Sequence, residues 1–195
     1  MRKSQIKRET RETSIDMSLN LDGQGIAQID TGIGFMDHML ELWAFHSGFD
    51  LKVICHGDLN VDSHHTIEDL GIVLGECIKE ALGDKKGIYR YGQMAIVMDE
   101  ALVTTTLDLS GRPYLVYHAQ LPCMKVGQYE TEMTKEFFKA VSDHAMMTLH
   151  IHESYGENTH HIIEAMFKSF ARALKQAVMI DENHQDQIVS SKGVL

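Results

Sequence analysis

The sequence predicts an α+β fold made of two duplicated βαβα-type halves, each a small mixed sheet covered by two helices. Three observations carry this reading. The stretch Val61–Asp69 is echoed by Glu157–Ala165, so that His64, His65 and Glu68 are matched by His160, His161 and Glu164, each 96 residues further on. The flanking segments follow one order in both halves: strands, a helix, a strand, a glycine or polar loop, the His-His pair, and a second helix. The chain has 195 residues, 44% of them hydrophobic, which is enough for one domain or two fused half-domains with a real core. The repeats are expected to span 1–92 and 93–195 as one compact unit.

Taken in order, residues 13–20 alternate, with Ile15, Met17 and Leu19 facing one way, as in a half-buried strand. Leu21–Gly25 is a turn and Ile26–Asp30 a return strand. After the Thr31-Gly-Ile-Gly34 break, Phe35, Met39, Leu42 and Trp43 give Phe35–His46 one apolar helical side, with His38 riding on it. Phe49–Cys55 alternates again. Asp62 or Ser63 can cap a helix whose apolar period runs from Ile67 to Leu82. A basic, glycine-punctuated loop covers 84–92. Strands are then expected at Met94–Met98, Leu102–Leu109 and Tyr114–Ala119, with a Ser110-Gly-Arg-Pro113 turn before the third. Residues 120–131 read as irregular. Met133–Met146 reads as a helix, Thr148–His152 as a strand and His161–Val178 as a long helix, followed by a polar tail.

Composition removes several classes. A net charge of −10 argues against a general nucleic-acid surface. No apolar run reaches the roughly 20 residues of a membrane span, and the basic first residues lack a signal peptide's apolar segment. Cys55, Cys77 and Cys123 form neither a disulfide framework nor a zinc CxxC. A cytoplasmic protein is expected.

The repeated motif points to metal. On a helix, residues three or four apart share a face, whereas neighbours splay by roughly 100°. His64 or His65 can therefore act with Glu68, but one metal does not easily take both imidazoles of a pair. Two metals can, each drawing on both repeats. Imidazole and carboxylate donors without thiolate suit Mn, Fe, Co, Ni or Zn. His38 and, near its pseudo-symmetric position, Glu136 are further candidate ligands, with His144 and His150 as competitors. A metallohydrolase or a histidine-rich metal-storage protein would use similar donors.

Further motifs extend over nearly the whole length: Arg8–Thr13, Gly34–Leu40, Asp62–Asp69, Lys86–Arg90, Asp99–Ala101, Asp108–Tyr114, Asn158–Ala165 and Ser190–Leu195. In this combination the chain resembles the imidazoleglycerol-phosphate dehydratases of histidine biosynthesis, in their monofunctional form. The resemblance implies a ribosomal protein S5 domain 2-like fold in each half and two Mn²⁺ per active site. The implied ligands are His38, His64, His65, Glu68, Glu136, His160, His161 and Glu164. Many members carry a histidine where this chain has Glu136, and a carboxylate can replace imidazole on Mn.

The resemblance also implies a homo-oligomer of 24 subunits with active sites between subunits. The substrate would be D-erythro-imidazole-glycerol phosphate, a small phosphoester, and the product imidazole acetol phosphate plus water. Proton transfer falls to Glu12 and to Glu164 or Glu68. Phosphate binding falls to Arg90, Arg112, Lys168, Ser190, Ser191 and Lys192, guanidinium giving bidentate contacts and lysine a point charge.

Overall fold

Alternation builds the first sheet as expected, since Ile15, Met17 and Leu19 are all buried on one strand. In the computed structural model, which describes residues 1–193 and 195, the first half runs β1 (Lys3–Glu9), β2 (Thr13–Asn20), β3 (Ala27–Asp30), α1 (Gly34–Ser47), β4 (Asp50–Gly57) and α2 (His64–Leu82). The second runs β5 (Tyr91–Met98), β6 (Ala101–Asp108), β7 (Tyr114–His118), a small hairpin β8 (Lys125–Val126) and β9 (Tyr129–Glu130), α3 (Met133–His144), β10 (Thr148–Tyr155) and α4 (Thr159–Val178). The sheets have matching orders, β1-β2-β4-β3 and β5-β6-β10-β7. In each, the last strand is parallel to its neighbour and the other pairings are antiparallel.

Two strand readings are corrected. β1 is a strand that the sequence did not announce, because Ser4 is its one buried residue and an edge strand needs no apolar stripe. β3 is not the return arm of a hairpin. It pairs in parallel with β4, and the chain at 24–26 is turned by Asp50, whose carboxylate accepts from the Gln24 and Ile26 amides. The division between 92 and 93 falls inside β5, which starts at Tyr91 directly after Arg90 takes φ 71°. Residues 120–131 also carry more structure than expected in the β8–β9 hairpin.

Each sheet is covered by its own two helices, and the two helix layers meet in the middle. The pairing is crossed: α1 packs against α4, and α2 against α3. The core is correspondingly continuous across the halves. Trp43 of α1 stacks on Phe170 of α4 at 6.2 Å, and Phe170 meets Phe138 of α3 at 5.7 Å. Burying such rings supplies much of the driving force for joining the halves. The α2–α3 approach is closer still. A Cβ at Gly71 would stand 2.7 Å from the Phe137 carbonyl oxygen, and one at Gly75 would stand 2.9 Å from that of Val141. Their counterparts in α4 are Phe167 and Ala171.

Candidate metal centre

The crossed helices bring the motif residues together. His38 lies in the second turn of α1, while His160 and Glu164 sit one turn apart at the start of α4. Asn158 caps that start by accepting from the His160 amide. His38 Nε2 is 3.8 Å and His160 Nε2 3.2 Å from Glu164 Oε2. Donor atoms of these three residues lie within 4.8 Å of one another, and they form the one such group of three among the described residues. Two imidazoles and a carboxylate at this spacing fit a divalent first-row cation.

Glu164 is 6% exposed. Burial pushes its carboxyl up, but the Lys168 hydrogen bond and charge outweigh this and hold it below the usual range. Lys168 Nζ reaches back one turn to Glu164 Oε1 at 2.5 Å. Its ammonium therefore belongs to this group rather than lying two turns away along the helix.

The second group is looser. His64 Nε2 stands 3.7 Å from Glu68 Oε2 on α2, with both side chains nearly half exposed. Glu136, half-buried on α3, does not join them in a group as tight as the first. Asp62, rather than Ser63, caps α2 by side chain, accepting from the His64 amide.

The other member of each pair points elsewhere, as the predicted splay requires. His65 is 6.2 Å from His64 and His161 6.2 Å from His160 between ring centroids. His65 Nε2 stands 3.8 Å from Glu12 Oε1, and His161 Nε2 3.8 Å from Asp99 Oδ2. Their Nδ1 atoms meet Asp58 Oδ2 at 3.0 Å and Glu100 Oε2 at 2.7 Å. Asp58 raises the His65 pKa and Glu100 that of His161, while the His161 hydrogen bond holds the Glu100 carboxyl down at about 2.

Glu12 occupies the β1–β2 connection. Its amide donates to Thr10 Oγ1, and its carbonyl accepts from the Asp58 amide. The ends of that connection are tied to α2 through buried Asp69, which accepts from Arg8 at 3.1 and 3.2 Å and from the Thr13 hydroxyl. Asp58 and Asp69 were missed by sequence reasoning, although an acid next to the motif at Asp69 was a usable signal. Glu100, in the Asp99–Ala101 motif, was expected at most to support the site, and its partner His161 lies 61 residues away.

The cations expected to bind phosphate divide between two places. Lys168 is in the α1–α4 group, with His46 nearby; burial, Lys168 and Arg172 lower the His46 pKa. Arg90 lies at the far end of α4, where its amide donates to the Ala177 carbonyl. Its Nε and Nη2 donate to Asp108 at 2.7 and 3.1 Å, and Nη1 donates to the Val189 carbonyl, beside Ser190. Asp108 raises the Arg90 pKa. The tail continues through exposed Ser191 and Lys192 to Leu195, whose carboxyl carbon is 2.9 Å from a Cβ position at Gly111, next to exposed Arg112. From Glu164 to Ala177 is about 20 Å along the helix at 1.5 Å per residue.

The family profile described as imidazoleglycerol-phosphate dehydratase matches residues 31–174. The imidazoleglycerol-phosphate dehydratase of Lactococcus lactis subsp. lactis IL1403 is 63% identical over 196 residues, covering 98% of both chains. That of Acetivibrio thermocellus is 56% identical, covering 100% of this chain and 99% of the relative. The crystal structure of the Staphylococcus aureus N315 enzyme superposes with a TM-score of 0.84 at 45% identity, covering 92% of this chain and 99% of that one. The IGPD of Pyrococcus furiosus, in complex with (S)-C348, gives 0.84 at 34% identity, covering 97% and 100%. With the duplicated fold, the paired His-His motifs and full-length similarity in agreement, the chain belongs to the imidazoleglycerol-phosphate dehydratase family.

Proposed function

We propose that the protein dehydrates D-erythro-imidazole-glycerol phosphate to imidazole acetol phosphate in histidine biosynthesis, using a centre of two Mn²⁺. The observation that carries the metal part is the convergence of His38, His160 and Glu164 within 4.8 Å. These three would hold one ion in this chain, and His64, Glu68 and Glu136 the other. His65 and His161, turned away from both groups, would complete the centres of neighbouring copies. When bound, the ions supply Lewis acidity and a template for the imidazole ring of the substrate.

The chain's own residues do the rest. Hydroxide leaves the ring-bearing carbon, a proton leaves the next carbon, and the resulting enol becomes the ketone. A base and an acid are needed. Glu12, on the β1–β2 connection and facing His65, takes one role. Glu164, or Glu68 in the second group, takes the other, each being next to a bound ring in this arrangement. Lys168 balances the charge of Glu164 and adds a cation for the phosphoester. Arg90, Arg112, Ser190, Ser191 and Lys192 form the main phosphate site.

That site is about 20 Å along α4 from the donors of the same chain, beyond the reach of a glycerol phosphate. It therefore serves a neighbouring copy, in keeping with active sites between the subunits of a 24-subunit shell. No helix among the described residues is long and apolar enough to cross a membrane. Free Cys55, Cys77 and Cys123 suit the reducing cytoplasm.

The test is direct. With Mn²⁺ and imidazole-glycerol phosphate, the enzyme should form imidazole acetol phosphate without releasing inorganic phosphate. Phosphate release would instead favour a metallohydrolase, and tight Mn²⁺ binding without turnover a storage protein.

A further inference from the structure

His65 and His161 differ from the other motif histidines in what holds them. His38, His64 and His160 meet a carboxylate through Nε2, at Glu164, Glu68 and Glu164 respectively. His65 and His161 meet a close carboxylate through Nδ1, Asp58 at 3.0 Å and Glu100 at 2.7 Å. A carboxylate at Nδ1 keeps the proton there and leaves Nε2 unprotonated to act as a metal donor, with only the looser carboxylates of Glu12 and Asp99 at 3.8 Å beside it. The carboxylates are themselves fixed. Glu100 Oε1 accepts from the amides of Glu157 at 3.2 Å and Asn158 at 2.7 Å, on the approach to α4. The Asp58 backbone donates to the Glu12 carbonyl and accepts from the Val61 amide.

The halves reach this arrangement from different loops. The matching sheet orders set the β5–β6 turn against the β1–β2 connection, so Glu100, directly before β6, corresponds to Glu12, directly before β2, and not to Asp58. Asp58 comes from the loop before α2, and Glu100 from the two-residue turn between β5 and β6, where Asp99 takes φ 48°. The ligands are copies, whereas the carboxylates that meet the same ring atom come from non-equivalent loops.

We propose that Asp58 and Glu100 are positioning residues that set the tautomer and aim of His65 and His161, and so the ability of each chain to donate Nε2 to a metal. This rests on the two-metal reading above. Glu100→Gln is the sharp probe. The Glu157 and Asn158 amides require its side-chain oxygen, so the new NH₂ faces His161 Nδ1 and drives the ring proton to Nε2. Asp58→Asn has both oxygens near Nδ1, at 3.0 and 3.3 Å, and can keep its oxygen there, so its effect should be smaller.

Two readouts on the full-length protein test this. In the metal-free chain, ¹⁵N NMR of labelled imidazoles should show His161 protonated at Nδ1, and at Nε2 in Glu100→Gln. Mn²⁺ titration followed by electron paramagnetic resonance should show one of two site classes weakened 10- to 100-fold in Glu100→Gln. His161→Ala serves as the reference. If His161→Ala weakens Mn²⁺ binding but Glu100→Gln leaves both tautomer and affinity unchanged, the positioning role is overturned and the metal reading stands. If neither variant changes Mn²⁺ binding, the metal reading itself falls.

Discussion

The α1–α4 and α2–α3 donor groups descend from one repeat, yet they differ in how fully they are prepared. The Glu164 side chain is 9% exposed and held by Lys168, whereas the Glu68 side chain is 48% exposed and has Ile72 where Glu164 has Lys168. The residue after the glutamate differs too. Ala165 is a buried core residue, while Asp69 is committed to Arg8 and Thr13 at the root of the Glu12 connection. On the proposed two-metal reading, one group is preset before metal arrives. The other gives up some preorganisation to anchor the segment carrying a proposed acid–base residue, and it would be drawn together by the ion. Divergence after duplication thus divided two tasks between two copies of one motif.

Several experiments break or sharpen this contrast. The largest effect is expected where both groups lose a donor at once. His65→Ala with His161→Ala should lose Mn²⁺ and most of the higher assembly, seen by metal analysis and light scattering. Unchanged size and metal content would sink the shared-site reading. Next, Glu164→Gln should lower kcat by about 10²–10⁴-fold and weaken the tighter class of Mn²⁺ sites, while Glu68→Gln weakens only the looser class. The reverse ranking would show that exposure says nothing about preparation here. Glu136→Ala should weaken Mn²⁺ about tenfold, the low end for a supporting group, and less than His38→Ala does.

The acid limb of stability isolates Lys168. The Glu164 carboxyl is held below its ordinary value of 4.5 in the folded chain. Its contribution is therefore present above about pH 4.5 and lost as pH falls through the lowered value. In metal-free protein, Lys168→Met should flatten that part of the curve of denaturation midpoint against pH, and an unchanged curve would refute the presetting. The smallest effect should lie outside both groups. Lys192→Ala should raise KM about tenfold, equivalent to about 1.4 kcal/mol, with kcat nearly unchanged, because phosphate contacts are uniform through the reaction. A pure kcat effect would count against a binding role.

Much of this was legible in the residues. The His-His-x-x-Glu echo, the apolar stripes of all four helices and the alternation of β2 and β4 are local patterns, set by side-chain chemistry at fixed spacing. The splay of neighbouring histidines is helix geometry and needed no tertiary information. β1 escaped because an edge strand with one buried serine carries no pattern. β3 was assigned to the wrong partner because strand pairing depends on where α1 and β4 return the chain. Glu100 was legible as a supporting residue but not as the partner of His161, because nothing local joins residue 100 to residue 161.

The sequence by itself determined the donor types, their duplication and the splay of the two imidazoles in each pair. Only the tertiary structure decided which donors meet. Helix periodicity says which side of a helix is apolar but not which helix will cover it. The crossing of α1 onto α4 and α3 onto α2 arises from packing the two helix layers against each other, through the Trp43–Phe170 stack and the close backbone approach at Gly71 and Gly75. That packing joins His38 of one half to His160 and Glu164 of the other.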